Sequence, residues 1–450
     1  MNSSLDKYKG SLLFSAIGDS LGWVTEFTYN ENDLFKKYGL NSISDFMTWE
    51  KKVGGRFYGY IDKVESGSYS DDTQLMLSVA RSFGKSKNLD QDYFAEIELA
   101  NWLSYSRGAG RTIKNAARKI QRKSARWNDN FFTFNIGRSK IDYRQSGANG
   151  AAMRALPIGL VNIDDLEKGL KDAASNSIIT HGHPTAIIGA MLYVLSIHVN
   201  AKFTVSNFNS KEYLTVLGNM YKKSISHDMM KINEMNHWIL KWNKDWHIEF
   251  GELFDRCFDL CLDQIRYVYK TVDSEISDHE VLDSLGCFDN KTKGSGIGTV
   301  LAGIFLFCRY NKEPYNGLDI AVNSFGADTD SIAGFYGGLV GFLHGDSIIK
   351  PKFKSLQDYS YIEKTGQDLF QIANENYTVN LNRTSNGDFN NIKDDNYKVG
   401  QNISFNPLGN GLIESIDRQD TITSGKYNLI LKVQFDIGQS CIFSKLLDKV

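Results

Sequence analysis

The sequence predicts an all-α body followed by a small antiparallel β module, and three observations carry that expectation. Only 5 of 450 residues are proline, while 42% are hydrophobic. Proline breaks helix interiors and is common in the turns between short strands, so its scarcity favours long helices with few connections. Apolar residues recur at intervals of three and four, the helical period, in segment after segment between residues 10 and 344. From about residue 376 the pattern changes to apolar–polar alternation, the strand period. A composition this apolar and this poor in proline also excludes a disordered or collagen-like chain.

The helical pattern opens over 10–27 (GSLLFSAIGDSLGWVTEF) and returns at 72–83, 94–105 and 109–124. Further stretches run over 165–180, 184–199, 211–225, 229–246 and 250–270, then over 296–311, 317–324 and 330–344. The uncharged run from Pro184 to Ala201 contains His198 and reads as a buried helix, not a membrane span. Trp238, Trp242 and Trp246 repeat every four residues, as an interior or subunit-contact stripe does, with a stacking platform for adenine as the rival. Cys257 and Cys261 lie one helical turn apart and read as buried small residues. In the C-terminal part YTVNLN, YKVGQNISF, GLIESIDRQDTIT and KYNLILKVQFDI read as strands, separated by SNGDFNN, NPLGNG and SG. The expected division is 1–375 helical and 376–450 β-rich.

Lys and Arg number 51 against 53 Asp and Glu, so the net charge of −2 shows no global preference for nucleic acid, membrane or cationic substrate. Five cysteines, odd in number, do not form a disulfide framework. Reduced thiols and an N-terminus without a secretory signal point to a cytoplasmic setting. One local exception stands out. From Leu99 to Asn128 there is no Asp or Glu, while Arg107, Arg111, Lys114, Arg118, Arg122 and Arg126 recur at helical spacing. A solvated face is the plain reading of the basic helix 107–126, and docking of an anionic macromolecule is the sharper one.

Three motifs point to chemistry. In Gly67-Ser-Tyr-Ser70-Asp71-Asp72-Thr73 two adjacent carboxylates open an apolar helix. A helix cap would use one of them and leaves the other unexplained. Gly326-Ala-Asp328-Thr-Asp330-Ser331 opens a second, glycine-spaced helix. It is not an EF-hand: Ile332 holds the fifth position, Ala333 replaces the turn glycine and no Glu follows at the twelfth. Hard oxygen donors at two distant helix starts suit Mg²⁺ or Mn²⁺, including a pair of ions sharing carboxylates. Between them Ser146-Gly147-Ala-Asn149-Gly150 is a small-residue loop entering a helix, which serves simple packing or a close approach to an anion. His181 beside a helix start is able to donate to phosphate. The chain has no GxxxxGK[ST] loop and no GxGxxG after a strand, so neither a P-loop NTPase nor a Rossmann dehydrogenase is supported.

Taken in order, Gly18-Asp-Ser-Leu-Gly22 through Glu26, Ser70-Asp-Asp-Thr73, Asn149-Gly-Ala-Ala-Met-Arg154, Thr180-His181 and Gly326-Ala-Asp-Thr-Asp-Ser331 resemble the ADP-ribosylglycohydrolase family over about residues 8 to 351. The resemblance implies an orthogonal multi-helix bundle with a binuclear magnesium centre in an ADP-ribose cleft. It implies metal ligation by Ser70, Asp71, Asp72, Asp328, Asp330 and Ser331, and a mobile glutamate at Glu26. Substrate binding falls to Gly147, Asn149, Gly150 and His181. Serine replaces the usual threonine at 70 and 331, which keeps the ligating hydroxyl. Ala148 replaces a glycine, and its methyl stands where phosphate would approach. The expected function is Mg²⁺-dependent removal of ADP-ribose from a modified acceptor, protein side chain or nucleic acid, with Asp72 and Glu26 as catalytic residues and the β module selecting the target. The rivals are a catalytically silent ADP-ribose-binding module and a metal-dependent phosphoesterase.

Overall fold

In the computed structural model, which describes residues 4–123, 125–230, 233–375, 381 and 396–449, the first helix is the axis of the molecule. Helix α1 (Leu5–Thr25) is buried from Lys7 to Thr25 except at Lys9. No face of it meets water, which is why its apolar and small residues run all round. Helix α2 (Glu31–Tyr38) follows, capped by Asn30, then a hairpin of β1 (Trp49–Val53) and β2 (Tyr60–Val64). Helix α3 (Asp71–Arg81) begins at the first acidic motif. A helical stretch from Gln91 to Trp102 contains a π segment, Phe94–Leu99, and leads to α4 (Arg111–Gln121), the basic helix.

A second hairpin, β3 (Thr133–Ile136) with β4 (Ser139–Asp142), precedes the helices α5 (Leu156–Val161), α6 (Leu166–Ile178) and α7 (Pro184–Asn200). Next come α8 (Ser210–Ser224), α9 (Asn233–Asn243), α10 (Phe250–Thr271) and α11 (Asp278–Ser284). The body closes with α12 (Gly296–Tyr310), α13 (Pro314–Val322), α14 (Thr329–His344) and α15 (Tyr359–Ala373). The C-terminal sheet is an antiparallel meander of β5 (Asn402–Phe405), β6 (Gly409–Asp420), β7 (Lys426–Phe435) and β8 (Ser440–Asp448).

The fold is mainly helical with a small C-terminal sheet, as expected. The two hairpins inside the helical body were not read from the sequence, nor were α2, α5, α11 and α15. In the C-terminal part β8 was missed, and the strand expected at YTVNLN lies outside the described residues but for Leu381. Trp238 and Trp242 are fully buried on α9, but Trp246 lies beyond that helix with the Arg144 guanidinium 3.9 Å from its ring centroid. All five cysteines are free and buried, and burial pushes Cys261 up to about 12. Among the described residues no helix is long and apolar enough to cross a membrane.

Helices α1 and α14 run antiparallel in close contact, and glycine makes this possible. A Cβ on Gly18 would lie 2.2 Å from the Ala333 carbonyl oxygen, and one on Gly341 would lie 2.1 Å from the Gly10 carbonyl oxygen. The crossing brings the C-terminal end of α1, with Glu26, to the start of α14, with Asp328 and Asp330. The sheet packs on the other side of α3. Its Phe405 and Phe443 rings meet Tyr105 with centroids 6.1 and 5.8 Å away. Its Gln439 accepts a 2.7 Å hydrogen bond from Arg81 at the end of α3. Sheet and body share one hydrophobic core.

Candidate active site

The acidic residues converge because α1 touches both helix starts. Asp19, on α1, accepts hydrogen bonds from the Ser70 amide at 3.1 Å, the Thr73 amide at 3.0 Å and the Thr73 hydroxyl at 2.5 Å. A carboxylate at a helix N-terminus satisfies orphan amides and the helix dipole together. The Ser70 hydroxyl accepts from the Asp72 amide at 3.1 Å, completing the cap. Asp19 was given no role in the sequence reading, although the Gly18-Asp-Ser-Leu-Gly22 segment was its available signal.

At the other helix start, Glu26, Asp328 and Asp330 offer carboxylate oxygens that all lie within 4.8 Å of one another. The Ser331 hydroxyl donates to Asp72 Oδ2 at 2.6 Å, tying the two motifs together. Asp71, also buried, packs against Gly108: a Cβ there would stand 2.7 Å from its Oδ1, and both this closeness and the φ of +90° call for glycine. Burial, then the charges of Asp328 and Asp71, raise Glu26 well above the usual carboxylate range. Burial and the charges of Asp19, Asp71 and Asp328 do the same to Asp72. Burial with Glu26, Asp72 and Asp328 does so to Asp330. Asp71 rises to about 7 through burial and Asp19. Among the described residues no Lys or Arg forms an ion pair with any of these acids. Lys51 and Lys114 act on Glu26 and Asp71 only from outside ion-pair distance, and the crowded like charges that remain, all oxygen donors, fit a divalent ion such as Mg²⁺.

The small-residue loop lies against this group. Asn149 Nδ2 donates to Asp328 Oδ2 at 3.1 Å, and the Asn149 amide donates to the Gly294 carbonyl at 2.8 Å. Gly147 accepts from the Gly296 amide at 3.0 Å. Gly150 faces His181, whose ring would meet an added Cβ at 2.8 Å. Arg154, fully buried, holds the Gly150 carbonyl at 2.7 Å and the Thr180 hydroxyl at 2.9 Å. That hydroxyl lies 2.8 Å from His181 Nδ1. With Arg154 donating to the oxygen, its hydrogen goes to Nδ1, which leaves the ring hydrogen on Nε2. Burial, then Arg154, lower His181 to about 3, so the ring is a neutral donor near pH 7. Arg154 closes the Asn149–Arg154 motif, and its role follows only from its burial against Gly150 and Thr180.

The structure thus brings Glu26, Asp72, Asp328, Asp330, Ser331 and Asn149 together, with Ser70 in the cap, Asp71 on the outer side and Gly147, Gly150 and His181 on the loop side. On the Asp71 side a cavity of about 900 Å³ opens. The hairpin β1–β2, Gly108 and Lys114 line it, and Ile442 and Ser444 of β8 reach its wall. The expected basic face is shorter than the sequence implied. Arg107 is buried before α4, 2.9 Å from Asp62, and Arg126 follows the helix. Arg111, Lys114, Arg118 and Arg122 remain.

A model of the ADP-ribosylglycohydrolase family matches residues 1–379. The chain is similar to the ADP-ribosylarginine hydrolase Tri1 of Serratia proteamaculans (strain 568), 23% identical over 385 residues, 83% of this chain and 81% of that protein. It is similar to the ADP-ribosylhydrolase ARH3 of Gallus gallus, 24% identical over 81% of this chain and 93% of that protein. The glycohydrolase of ADP-ribosylated dinitrogen reductase from Rhodospirillum rubrum is 30% identical over 40% of this chain and 52% of that protein. Among solved structures an ADP-ribosylglycohydrolase-related protein complex matches with TM-score 0.51 and 16% identity, covering 82% of this chain and 98% of that one. At that identity the likeness shows the fold.

Proposed function

The chain belongs to the ADP-ribosylglycohydrolase family, and from that premise we propose that it is a Mg²⁺-dependent enzyme removing ADP-ribose from a modified acceptor by hydrolysing the glycosidic bond at the distal ribose. It is a glycosidic-bond hydrolase of metal-dependent kind. One observation carries the reading: Glu26, Asp328 and Asp330 from opposite ends of the chain hold their oxygens within 4.8 Å, with Asp72 joined through Ser331 and, among the described residues, no Lys or Arg in ion-pair contact with them.

Ser70, Asp71, Asp72, Asp328, Asp330 and Ser331 would hold the metal, as two ions sharing carboxylates. A divalent metal held there would supply Lewis-acid activation of water and a fixed positive charge for the ribose hydroxyls. Cleavage at the anomeric carbon passes through an oxocarbenium-like transition state, which anionic side chains stabilise. Asp72 takes the proton of the attacking water. Glu26, half-buried at the end of α1, positions that water. Asn149, steered by Asp328, and the Gly147 and Gly150 backbone cradle the pyrophosphate, and neutral His181 donates to it through Nε2–H.

The test is a panel of ADP-ribosyl-arginine peptide, ADP-ribosyl-serine peptide and ADP-ribosylated DNA, with Mg²⁺ or EDTA, read as free ADP-ribose by mass spectrometry. Intact ADP-ribose released only with metal is the expected result. AMP or phosphate as product identifies a phosphoesterase, and ADP-ribose binding without release identifies a silent module.

A further inference from the structure

The acid group has two sides, and helix α4 separates them. Ile113 on α4 points at the loop side: its Cδ1 lies 2.6 Å from where a Cβ of Gly150 would be. The next residue, Lys114, lines the cavity on the Asp71 side. With ADP-ribose held along Asn149, Gly150 and His181, the cavity is where the acceptor half projects.

What the cavity offers is hydrogen-bond donors, cations and rings. Behind Gly108 of the lining, the fully buried Trp23 indole N–H has no hydrogen-bond partner among the described residues and lies 3.3 Å from the position of a Cβ added at Gly108. Lys51 places Nζ 4.0 Å over the Trp23 ring. Lys114 makes no ion pair among the described residues, though the Asp71 charge acts on it, and Lys52 stands exposed at the rim. Asp62 is already engaged by Arg107 at 2.9 Å. Tyr38, Trp49 and Tyr60 supply aromatic walls. The other carboxylate of the lining, Glu50, stands exposed, so a guanidinium, with five donors and no acceptor, finds one acidic partner among Lys37, Lys51, Lys52 and Lys114. A group rich in carbonyl oxygen or phosphate finds matched partners.

The surroundings extend the same chemistry. Phe27, beside Lys51, and Phe57, between the two hairpin strands, are 49% and 55% exposed, large rings left in water. From Lys114 a cationic row continues along α4 through exposed Arg118 and Arg122 at i, i+4 spacing, with Arg111 beside it. From Arg111 to Arg122 this row spans about 17 Å. A row of that length suits several phosphates in succession, and rings beside cations suit unpaired bases, which stack without sequence preference.

We propose, resting on the hydrolase reading above, that the cavity is an acceptor subsite for single-stranded nucleic acid carrying ADP-ribose on a base, with α4 tracking its phosphates and β8 of the C-terminal sheet closing its wall. The bond from the distal ribose C1″ to the base breaks with its electron pair leaving on the base atom. Water supplies hydroxide to C1″ and a proton to that base atom. No other reactant is consumed.

The experiment has a binding arm and a release arm, both on the full chain. A fluorescent 12-nucleotide oligothymidylate is titrated by anisotropy at 50 and 200 mM salt. For three phosphate contacts affinity falls roughly 20-fold over that range. Arg118→Glu with Arg122→Glu, and separately Lys52→Glu, weaken binding tenfold or more. In the release arm those variants lower kcat/KM on single-stranded DNA bearing ADP-ribose on a base by a similar factor, and leave release from a short ADP-ribosyl-serine peptide unchanged. Absent oligonucleotide binding, unchanged binding in the charge reversals, equal binding of a poly-glutamate peptide, or arginine conjugates cleaved better than DNA overturns the inference. Failure to release ADP-ribose from every conjugate sinks the hydrolase reading, and the binding arm then decides the nucleic-acid surface by itself.

Discussion

The two ends of helix α3 bury carboxylates equally deeply and answer them in opposite ways. At its C-terminal end Arg81 grips Glu98 with two hydrogen bonds of 2.8 Å, and also reaches Tyr361 at 3.0 Å and Gln439 at 2.7 Å. Against a burial that pulls it down, Glu98 raises the Arg81 guanidinium well above its usual value. At the N-terminal end Asp71 and Asp72 meet Asp19 and Asp328 with hydroxyls and amides, and among the described residues no Lys or Arg pairs with them directly, Lys51 and Lys114 acting on Asp71 only from farther off. A charge matched from within is scaffold, here the link between the bundle and the C-terminal sheet. Charges left unmatched in so tight a space destabilise the empty protein, and a fold keeps them where an outside cation completes the set.

The largest effect that tests this contrast is on activity. Asp72→Asn removes a charge and keeps the shape, and release of ADP-ribose with Mg²⁺ should fall roughly 10²- to 10⁴-fold. The melting temperature should hold or rise, since a repelled, buried carboxylate has gone. A variant that loses activity and melts early would make Asp72 a structural acid like Glu98. The next effect is on stability. Arg81→Met strands Glu98 in the core and should cost about 3–5 kcal/mol, measured by urea unfolding. Adding Glu98→Gln should recover most of that loss, because the stranded charge is gone. No such rescue is available at the other end of the helix.

How much of this was legible in the sequence depends on range. The acid pairs were visible because they sit at helix starts in short, distinctive runs. Their meeting was not, because it depends on the Gly18 and Gly341 contacts between helices more than 300 residues apart. Asp19 escaped because a capping carboxylate acts across a tertiary contact. The β1–β2 hairpin escaped because its five-residue strands are half exposed and carry little alternation of their own, taking their place from the sheet: Gln419 bonds the Ile61 amide and carbonyl, each at 3.0 Å. Arg107 looked like part of the basic face because its spacing fits, and only its pairing with Asp62 removes it.

A smaller effect sharpens the same comparison through pH. Asp71, raised to about 7, keeps a proton that an ordinary carboxyl of 3.8 gives up. Between those values the folded chain binds more protons than the unfolded one. The stabilisation is therefore complete below about pH 4 and is lost as pH rises through 7. In EDTA the melting temperature should fall from pH 5.5 to pH 8. Mg²⁺ competes for the same oxygens, so its stabilisation should grow over that range, to about 2.7 kcal/mol at a hundredfold excess over Kd. A Mg²⁺ effect independent of pH would detach the metal from these acids.

The smallest effect is expected at Ala148, where the resemblance sets a glycine and its methyl was expected to narrow the way to phosphate. The backbone there has φ −72° and ψ 163°, an extended conformation that any residue adopts, and the residue bridges to Ser295 with its side chain exposed. Neither strain nor crowding calls for glycine. Ala148→Gly should change KM for an ADP-ribosyl substrate less than about twofold while costing roughly 0.5 kcal/mol through the freer unfolded chain. The loop's grip on the substrate then rests on Asn149 and Gly150, which the acid group and Arg154 hold in place. A KM that drops fivefold or more in Ala148→Gly would put the methyl in the path of the phosphate, and would move the cradle one residue toward Gly147.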